Sequence, residues 1–249
     1  MKPKQRADQA LVDRGLAESR ARAQALILAG KVFSGERRVE KPGDALREDT
    51  PLEVRGQDHP WVSRGGVKLA HALAHFGLSP AGRVCLDIGA STGGFTDVLL
   101  RHGAARVYAV DVGHGQLAWS LRNDPRVVVL ERTNARYLEP AQVPEPVGAL
   151  VCDASFIGLR TILPAPLALC APGAWAVALI KPQFEAGPGA VGKGGVVRDA
   201  AVHGAVCAAI EGWWAALPGW RVLGIEPSPI LGPEGNREFL IAAALRGET

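Results

Sequence analysis

The chain has 249 residues, 47% hydrophobic and 21% charged, with a formal net charge of +3. That length holds one full domain and a small one. No apolar run is long enough for a membrane span and the Met-Lys-Pro-Lys-Gln-Arg start has no apolar signal segment, so no membrane partner is expected.

The charge is uneven along the chain. Residues 1–41 hold ten Lys/Arg against five Asp/Glu, a net of +5, and residues 42–60 hold two against five, a net of −3. A local basic excess suits phosphate groups, although solvated helix faces carry such charge too. Residues 6–16 read as a short amphipathic helix closed at Gly15, and Ser19 reads as the N-cap of a second helix with Ala23, Leu26 and Ile27 on one face. Short strands and turns follow from Gly30 to about residue 56. A joint punctuated by Pro60 and the Gly65-Gly66 pair comes next, with Trp61 read as an anchor between the two domains or, alternatively, as core.

Beyond the joint, Val67 to Phe76 reads as a helix. Strands are expected near residues 83–88, 106–112, 126–130, 147–153, 174–181, 220–226 and 237–245. Strands spaced by helices predict an α/β fold with a mostly parallel, Rossmann-like sheet covered on both faces. The last two runs lack a long helix between them, so an antiparallel edge is expected there. The cysteines Cys85, Cys152, Cys170 and Cys207 are far apart without a C-x-x-C pair; they read as buried thiols in a reducing cytoplasm, and no metal site is expected.

Residues 85–97, Cys-Leu-Asp-Ile-Gly-Ala-Ser-Thr-Gly-Gly-Phe-Thr-Asp, read as a strand, a glycine loop and a helix N-terminus. Glycines let backbone approach a ligand closely, and free N–H groups at a helix start favour a negative group. The D-x-G-x-x-x-G spacing differs from the dinucleotide fingerprint and suits S-adenosylmethionine; another nucleotide-like ligand or a plain tight turn also fits it. Asp111, at the end of the next strand, is placed to accept hydrogen bonds from ribose hydroxyls, or to cap the following turn.

Two further strand ends carry chemistry. Asp153 ends Leu-Val-Cys-Asp, and Lys181 ends Ala-Leu-Ile-Lys. Ligands bind at this edge of such sheets. A lysine desolvated by Ile180, Pro182 and Phe184 could serve as a base, while Asp153 favours its charged form; a purely structural ion pair between the two is the alternative. Asp-Ala-Ser-Phe is not the Asn/Asp-Pro-Pro-aromatic turn of base N-methylation, and Cys152 should face inward, away from attack on a cytosine ring. A ribose hydroxyl needs a proton acceptor and orienting charges, which lysine plus carboxylate supplies. Gly187 to Lys193 satisfies G-x-x-x-x-G-K, but Gly194 follows where a metal-binding hydroxyl is needed, so it reads as a loop over the site and not as a nucleotide-hydrolysing loop.

The first segment, through Asp8 to Leu11, Gly15, Ser19-Arg20, Ala23, Leu26-Ile27 and Gly30-Lys31-Val32, resembles the ribosomal S4-type RNA-binding domain. The remainder resembles the FtsJ-like 2′-O-ribose methyltransferases. Their Lys-Asp-Lys-Glu tetrad falls on Lys68 in Arg-Gly-Gly-Val-Lys, Asp153 in Cys-Asp-Ala-Ser-Phe, Lys181 in Ile-Lys-Pro-Gln-Phe and Glu238 in Asn-Arg-Glu-Phe-Leu. The whole chain resembles the TlyA family of ribosomal RNA 2′-O-methyltransferases, which also circulate under the name hemolysin.

The resemblance implies a small α+β RNA-binding domain at 1–58, a linker at 59–65 and a methyltransferase domain at 66–249. It implies S-adenosylmethionine as cofactor, held by Asp87, Gly89, Ala90, Ser91, Thr92, Gly93, Gly94, Phe95, Asp111, Val112 and Asn134, with Ser228 and Asn236 lining the site. It implies cytidine 2′-O-methylation in ribosomal RNA on ribosomal subunits, with Lys181 as base, and RNA contacts from Arg6, Arg14, Ser19, Arg20, Arg22, Lys31, Arg64, Lys193 and Arg198. His59-Pro60-Trp61-Val62 departs from the family's Arg-x-Trp-Val, and the stop at Thr249 gives an expectation of the large subunit. A non-catalytic ribosome-binding factor and a membrane-lytic protein are the competing readings; no strongly amphipathic cationic helix supports the latter.

Overall fold

The computed structural model describes residues 4–17, 19–47, 49–55, 59–192, 194–232 and 235–247. The chain opens with β1 (Lys4–Arg6), α1 (Ala7–Asp13), α2 (Arg20–Leu28), β2 (Val32–Ser34), β3 (Arg37–Arg38), β4 (Ala45–Arg47) and β5 (Glu53–Val54). β1 pairs antiparallel with β4, and β3, β2 and β5 form a second small antiparallel sheet. α1 and α2 pack through Ala7, Leu11, Ala23, Leu26 and Ile27, and Val32 and Val39 close this core from the strands. Ser19 caps α2 as expected, its Oγ accepting from the Arg22 N–H at 3.2 Å. α1 is shorter than the 6–16 pattern: Arg6 is taken into β1 by pairing of Lys4 to Arg6 with residues 45–47, a long-range partner that local periodicity does not reveal, and the helix closes after Asp13, where the Gly15 N–H donates to the Val12 carbonyl.

Asp8 lies fully buried at the start of α1. Its carboxylate accepts from Arg6 through both oxygens at 2.9 Å, from Arg20 at 3.2 Å and from Gln24 at 2.9 Å. A buried charge survives only with such partners. The Arg6 hydrogen bond, opposed by burial and reinforced by Gln24 and Arg20, holds the Asp8 carboxyl well below the usual carboxylate range.

The rest of the chain runs through α3 (Gly65–Phe76), β6 (Val84–Ile88), α4 (Gly94–Arg101), β7 (Arg106–Val110), α5 (Trp119–Arg122), β8 (Val127–Leu130), β9 (Val147–Cys152), α6 (Leu159–Ile162), α7 (Pro164–Leu167), β10 (Cys170–Ile180), α8 (Pro182–Glu185), α9 (Ala200–Ala215), β11 (Trp220–Pro227) and β12 (Phe239–Leu245). Its strands form one sheet in the order β11-β12-β10-β9-β6-β7-β8. β10, β9, β6, β7 and β8 are parallel neighbours, and β12 runs antiparallel between β10 and β11. The antiparallel strand is thus one place in from the edge, which β11 occupies. β12 is almost wholly apolar and buried, and a strand covered on both faces needs neighbours on both sides.

Strand alternation divides the core. Cys85, Val107, Ala149, Val151, Val177, Leu179, Leu240 and Ala242 face α3 and α4. Leu86, Ile88, Leu150, Cys152, Ala176, Ile180 and Ile241 face the other way, toward α6, α7 and α9, where Trp214 is fully buried. Trp61 takes the core reading of its two alternatives. It packs on this sheet domain: a Cβ on Gly66 would stand 2.4 Å from its side chain, and Arg101 lies 5.5 Å over its ring. The first segment meets the sheet domain at Gly15, where φ is +66° and an added Cβ would stand 2.7 Å from Ala118.

Asp8 generates a pH prediction. A depressed carboxyl pKa contributes stability that is present above the unfolded value of about 4 and lost as pH falls toward the lower folded value. Native-state hydrogen exchange of the α1 and α2 amides should show Asp8→Asn much less protected at pH 7, with the gap closing as pH falls below about 4. A gap that does not change with pH would remove the charge from the explanation.

Candidate active site

The sheet topology brings four distant residues to one edge. Asp153 follows the end of β9 and Lys181 the end of β10, both at the C-terminal edge of parallel strands. β12 runs the opposite way, so the residue before it reaches that same edge: Phe239 pairs with Ile180, and Glu238 sits beside Lys181. Lys68 arrives from the first turn of α3, which covers this edge.

The four side chains alternate in charge. Lys181 Nζ lies 2.6 Å from Asp153 Oδ1 as an ion pair and donates its directed hydrogen bond to Ser155 Oγ at 3.0 Å. Lys68 Nζ lies 3.7 Å from Asp153 Oδ2 and donates to Glu238 Oε2 at 2.7 Å. Both lysines and Glu238 are buried. Burial pulls the Lys68 ammonium down, but Asp153 and Glu238 outweigh it and hold its pKa above the ordinary lysine value. Gly232 leaves room for the Glu238 carboxylate where it stands: a Cβ there would be 2.2 Å from Glu238 Oε1.

The glycine loop is built more by packing than by ligand approach. A Cβ on Gly89 would stand 2.9 Å from the Asp153 carbonyl oxygen. One on Gly93 would stand 2.2 Å from Leu121, and one on Gly94 2.3 Å from Ser63 Oγ. Gly93 and Gly94 therefore let α4 meet α5 and the joint before α3. Phe95 is buried in the core, though its edge reaches the cavity at the tetrad. Asp87 stands behind the loop, fully buried: Oδ2 accepts from Thr96 Oγ1 at 2.7 Å and Oδ1 has no partner. Burial, opposed by Thr96, pushes its pKa up to about 7.

Asp111 is oriented by the backbone. Its Oδ2 accepts from Ser91 N–H at 2.8 Å and its Oδ1 from Gly113 N–H at 2.7 Å, which leaves one lone pair on each oxygen for a ligand. It lines a cavity of about 430 Å³ with Ser91, Val112, Gln116, Asn134, Phe156 and Ile157. A second cavity, of about 300 Å³, lies over the tetrad and shares Gly89, Ser91, Asp153 and Ser155 with the first; Ala90, Thr92, Gly94 and Arg64 also line it. A third, of about 390 Å³, lies between the first segment and the sheet domain; it includes Arg22, Lys31 and His59 and shares Ser63, Arg64 and Ile230 with the second. The three make one trough.

Several expected residues are engaged elsewhere. Asn236 is buried and holds the chain at Gly195 and Val197, accepting from Val197 N–H at 3.2 Å and donating to the Gly195 carbonyl at 3.0 Å. Ser228 donates to the Ile230 carbonyl at 2.8 Å. Ser19 is spent as a cap, Arg6 and Arg20 sit on Asp8, and Arg14 donates to the Thr50 carbonyl. Arg64 donates to the Leu231 carbonyl at 2.9 Å, Arg198 is exposed, and Lys193 lies outside the described residues. The thiol of Cys152 is wholly buried and pushed up to about 12 by burial, so it supplies no nucleophile. Ser155, Gln116 and Phe156 were not singled out as site residues from the sequence. Phe156 is 89% exposed with φ +66°, a strained conformation for a bulky side chain, and the Asp-Ala-Ser-Phe turn was its only local signal.

A mostly parallel sheet with an antiparallel strand beside its edge, a glycine loop after one strand and a Lys-Asp-Lys-Glu cluster defines a methyltransferase with an RNA-binding segment in front. Residues 61–245 match the FtsJ-like methyltransferase family and residues 5–51 match the S4 domain. The chain is 52% identical over 237 residues to the 16S/23S rRNA (cytidine-2′-O)-methyltransferase TlyA of Mycobacterium tuberculosis, covering 95% of this chain and 88% of that protein. It is 50% identical over 247 residues to YqxC of Bacillus subtilis, covering 98% of this chain and 87% of that one. A solved structure of a hemolysin-named protein from Streptococcus thermophilus superposes with a TM-score of 0.78 at 43% identity, covering 99% of this chain and 90% of that one. The chain belongs to the TlyA family of FtsJ-like methyltransferases.

Asp87 yields a test in the cofactor-free protein. A carboxyl whose folded pKa is raised to about 7 binds its proton in the fold while the unfolded chain has released it, so its contribution to stability falls as pH rises from about 4 to 7. The urea midpoint of Asp87→Asn should therefore gain on the native protein across that interval. Parallel pH curves for the two would show that Asp87 is charged in the fold.

Proposed function

We propose that this chain transfers a methyl group from S-adenosylmethionine to the 2′-hydroxyl of a cytidine in ribosomal RNA, with 23S RNA as the first target and 16S RNA as the second. The carrying observation is the alternating Lys68–Asp153–Lys181–Glu238 cluster, set between a cavity that fits the cofactor and a basic cavity that opens toward the first segment. The names of the relatives support the RNA substrate. We assign residues 1–58 to RNA docking, 59–65 to the link and 66–249 to catalysis, in a protein acting in the cytoplasm on ribosomal subunits.

The cavity beside Asp111 suits the cofactor in size and lining. Asp111 is pre-oriented for the ribose hydroxyls, Val112 and Ile157 offer apolar walls to an adenine, and Asn134 stands beside them. S-adenosylmethionine supplies an electrophilic methyl group on sulfur. The chain's residues then handle the proton. Lys181, once its ion-paired ammonium has given a proton to solvent, accepts the 2′-hydroxyl proton at Nζ as the oxygen attacks. With Lys181 neutral, Lys68, Asp153 and Glu238 sum to −1, and the incoming proton brings the cluster to zero. Asp153, 2.6 Å from Nζ, then holds the ammonium that forms, while Lys68 keeps Asp153 and Glu238 paired. Ser155 orients the Lys181 amine, and Phe156 offers an exposed face for an unstacked base.

Tritiated methyl transfer to separated, unmodified ribosomal subunits tests this reading. Label should appear as 2′-O-methylcytidine, and Lys181→Ala should lower the rate by about 10²–10⁴-fold with cofactor binding retained. Absence of label on either subunit, despite bound cofactor, would sink the assigned substrate. Removing Glu238 leaves Lys68 buried beside one carboxylate instead of two, and breaking such a buried pair costs about 3–5 kcal/mol. Glu238→Ala should accordingly lower the denaturation midpoint strongly, and Lys68→Met with Glu238→Leu should recover part of that loss without activity. Charge reversal by Arg22→Glu with Lys31→Glu should weaken RNA methylation while leaving cofactor affinity unchanged; equal methylation by the variant would remove the docking role of that cavity.

A further inference from the structure

Away from the tetrad, α3 carries two histidines one turn apart, His71 and His75, and both face Glu226 on β11. His71 Nε2 lies 3.5 Å from Glu226 Oε1, and His75 Nε2 lies 3.7 Å from Glu226 Oε2. The three donor groups lie within 4.8 Å of one another. We propose that His71, His75 and Glu226 form a binding site for a divalent transition-metal ion, with zinc as the fitting ion.

The distances choose between a cation and a direct contact. A protonated histidine on a carboxylate closes to about 2.7–2.9 Å, and here both gaps are wider. Zinc bound at about 2.0–2.1 Å in a tetrahedron separates its ligand atoms by about 3.4 Å. The two gaps, each to a different oxygen of the carboxylate, are therefore close to the spacing of two ligand atoms around such an ion. Burial adds to this: His71 Nε2 is shielded from solvent and, with Glu226 at that distance, makes no hydrogen bond. A buried ring nitrogen aimed at a carboxylate without bonding to it is costly unless something sits between them.

The donor set fits the chemistry. Two imidazoles at i and i+4 on one helix face, completed by a carboxylate from another element, make a His₂Glu set for zinc. The side chains of His71, His75 and Glu226 are 35%, 43% and 29% exposed, so water can complete the coordination. No cysteine takes part, which is why cysteine spacing gave no sign of it. Spacing of the histidines alone gave none either, because Glu226 lies 151 residues beyond His75 and only the packing of α3 on β11 joins them.

The ion would clasp α3 to the edge strand β11, one turn after Lys68. It is not part of the methyl-transfer chemistry and stands or falls separately from the proposed function.

Cobalt(II) and zinc(II) titrations of the chelator-treated full chain test it. The expected result is one equivalent of cobalt with visible absorption, displaced by zinc, and an unfolding midpoint raised by about 5–10 °C at zinc a hundredfold above its Kd. His75→Gln and Glu226→Gln, each with unchanged far-ultraviolet dichroism, should lose both signals. The proposal is overturned if the native chain binds no more cobalt than these variants, whether because none binds or because binding persists in them.

Discussion

Four charged side chains at one sheet edge set the terms for the rest of this protein. Two lysines and two carboxylates, largely removed from water, are stable only when each has an opposite neighbour. At about 4 Å, unit charges attract by about 4 kcal/mol at the effective dielectric of a protein site, against about 1 kcal/mol in water. That gain depends on position to within an ångström or so. The sheet register supplies it, since Ile180 pairs with Phe239 and Asp153 donates its N–H to the Ile88 carbonyl. The antiparallel β12 is what allows Glu238 to stand level with Lys181.

The surrounding loops serve that geometry. Gly232 gives way to the Glu238 carboxylate, and Gly89 gives way to the backbone at Asp153. The joint before α3 is tied down in turn: Val62 N–H donates to Asp97 at 2.9 Å, Arg101 pairs with the same carboxylate at 2.7 Å, and Trp61 lies against Gly66. Lys68, three residues past Gly65, is thereby held to the sheet domain and not to the RNA-binding segment. The first segment touches the other end of this system. Gly15 rests on Ala118, whose N–H donates to the Thr92 carbonyl in the glycine loop at 3.1 Å. The first segment and the glycine loop therefore share a contact.

The basic residues divide between those engaged within the fold and those that line the trough. Arg6 and Arg20 neutralise Asp8 and Arg14 ties α1 to the loop before β5, so much of the basic excess in the first 41 residues stabilises the small domain. What faces the trough is narrower: Arg22, Lys31 and Arg64. Net charge counts all of these alike, because it registers residue type and not the direction of a side chain.

The order of strands and helices, the D-x-G-x-x-x-G loop and the acidic or basic residue at each strand end were legible in the sequence, because each depends on a short run of neighbours. Ser19 as a cap and Asp111 at a strand end are of this kind. The tetrad residues could be named from motifs but not placed, since Lys68 and Glu238 are 170 residues apart and meet only through the sheet. The same holds for β1, for the position of β12 inside the edge, for Trp61 on the sheet domain and for His71, His75 and Glu226. In each, the deciding partner is far along the chain. Periodicity and spacing report local geometry, while burial, charge pairing and ligand sets arise from contacts that only the folded chain makes.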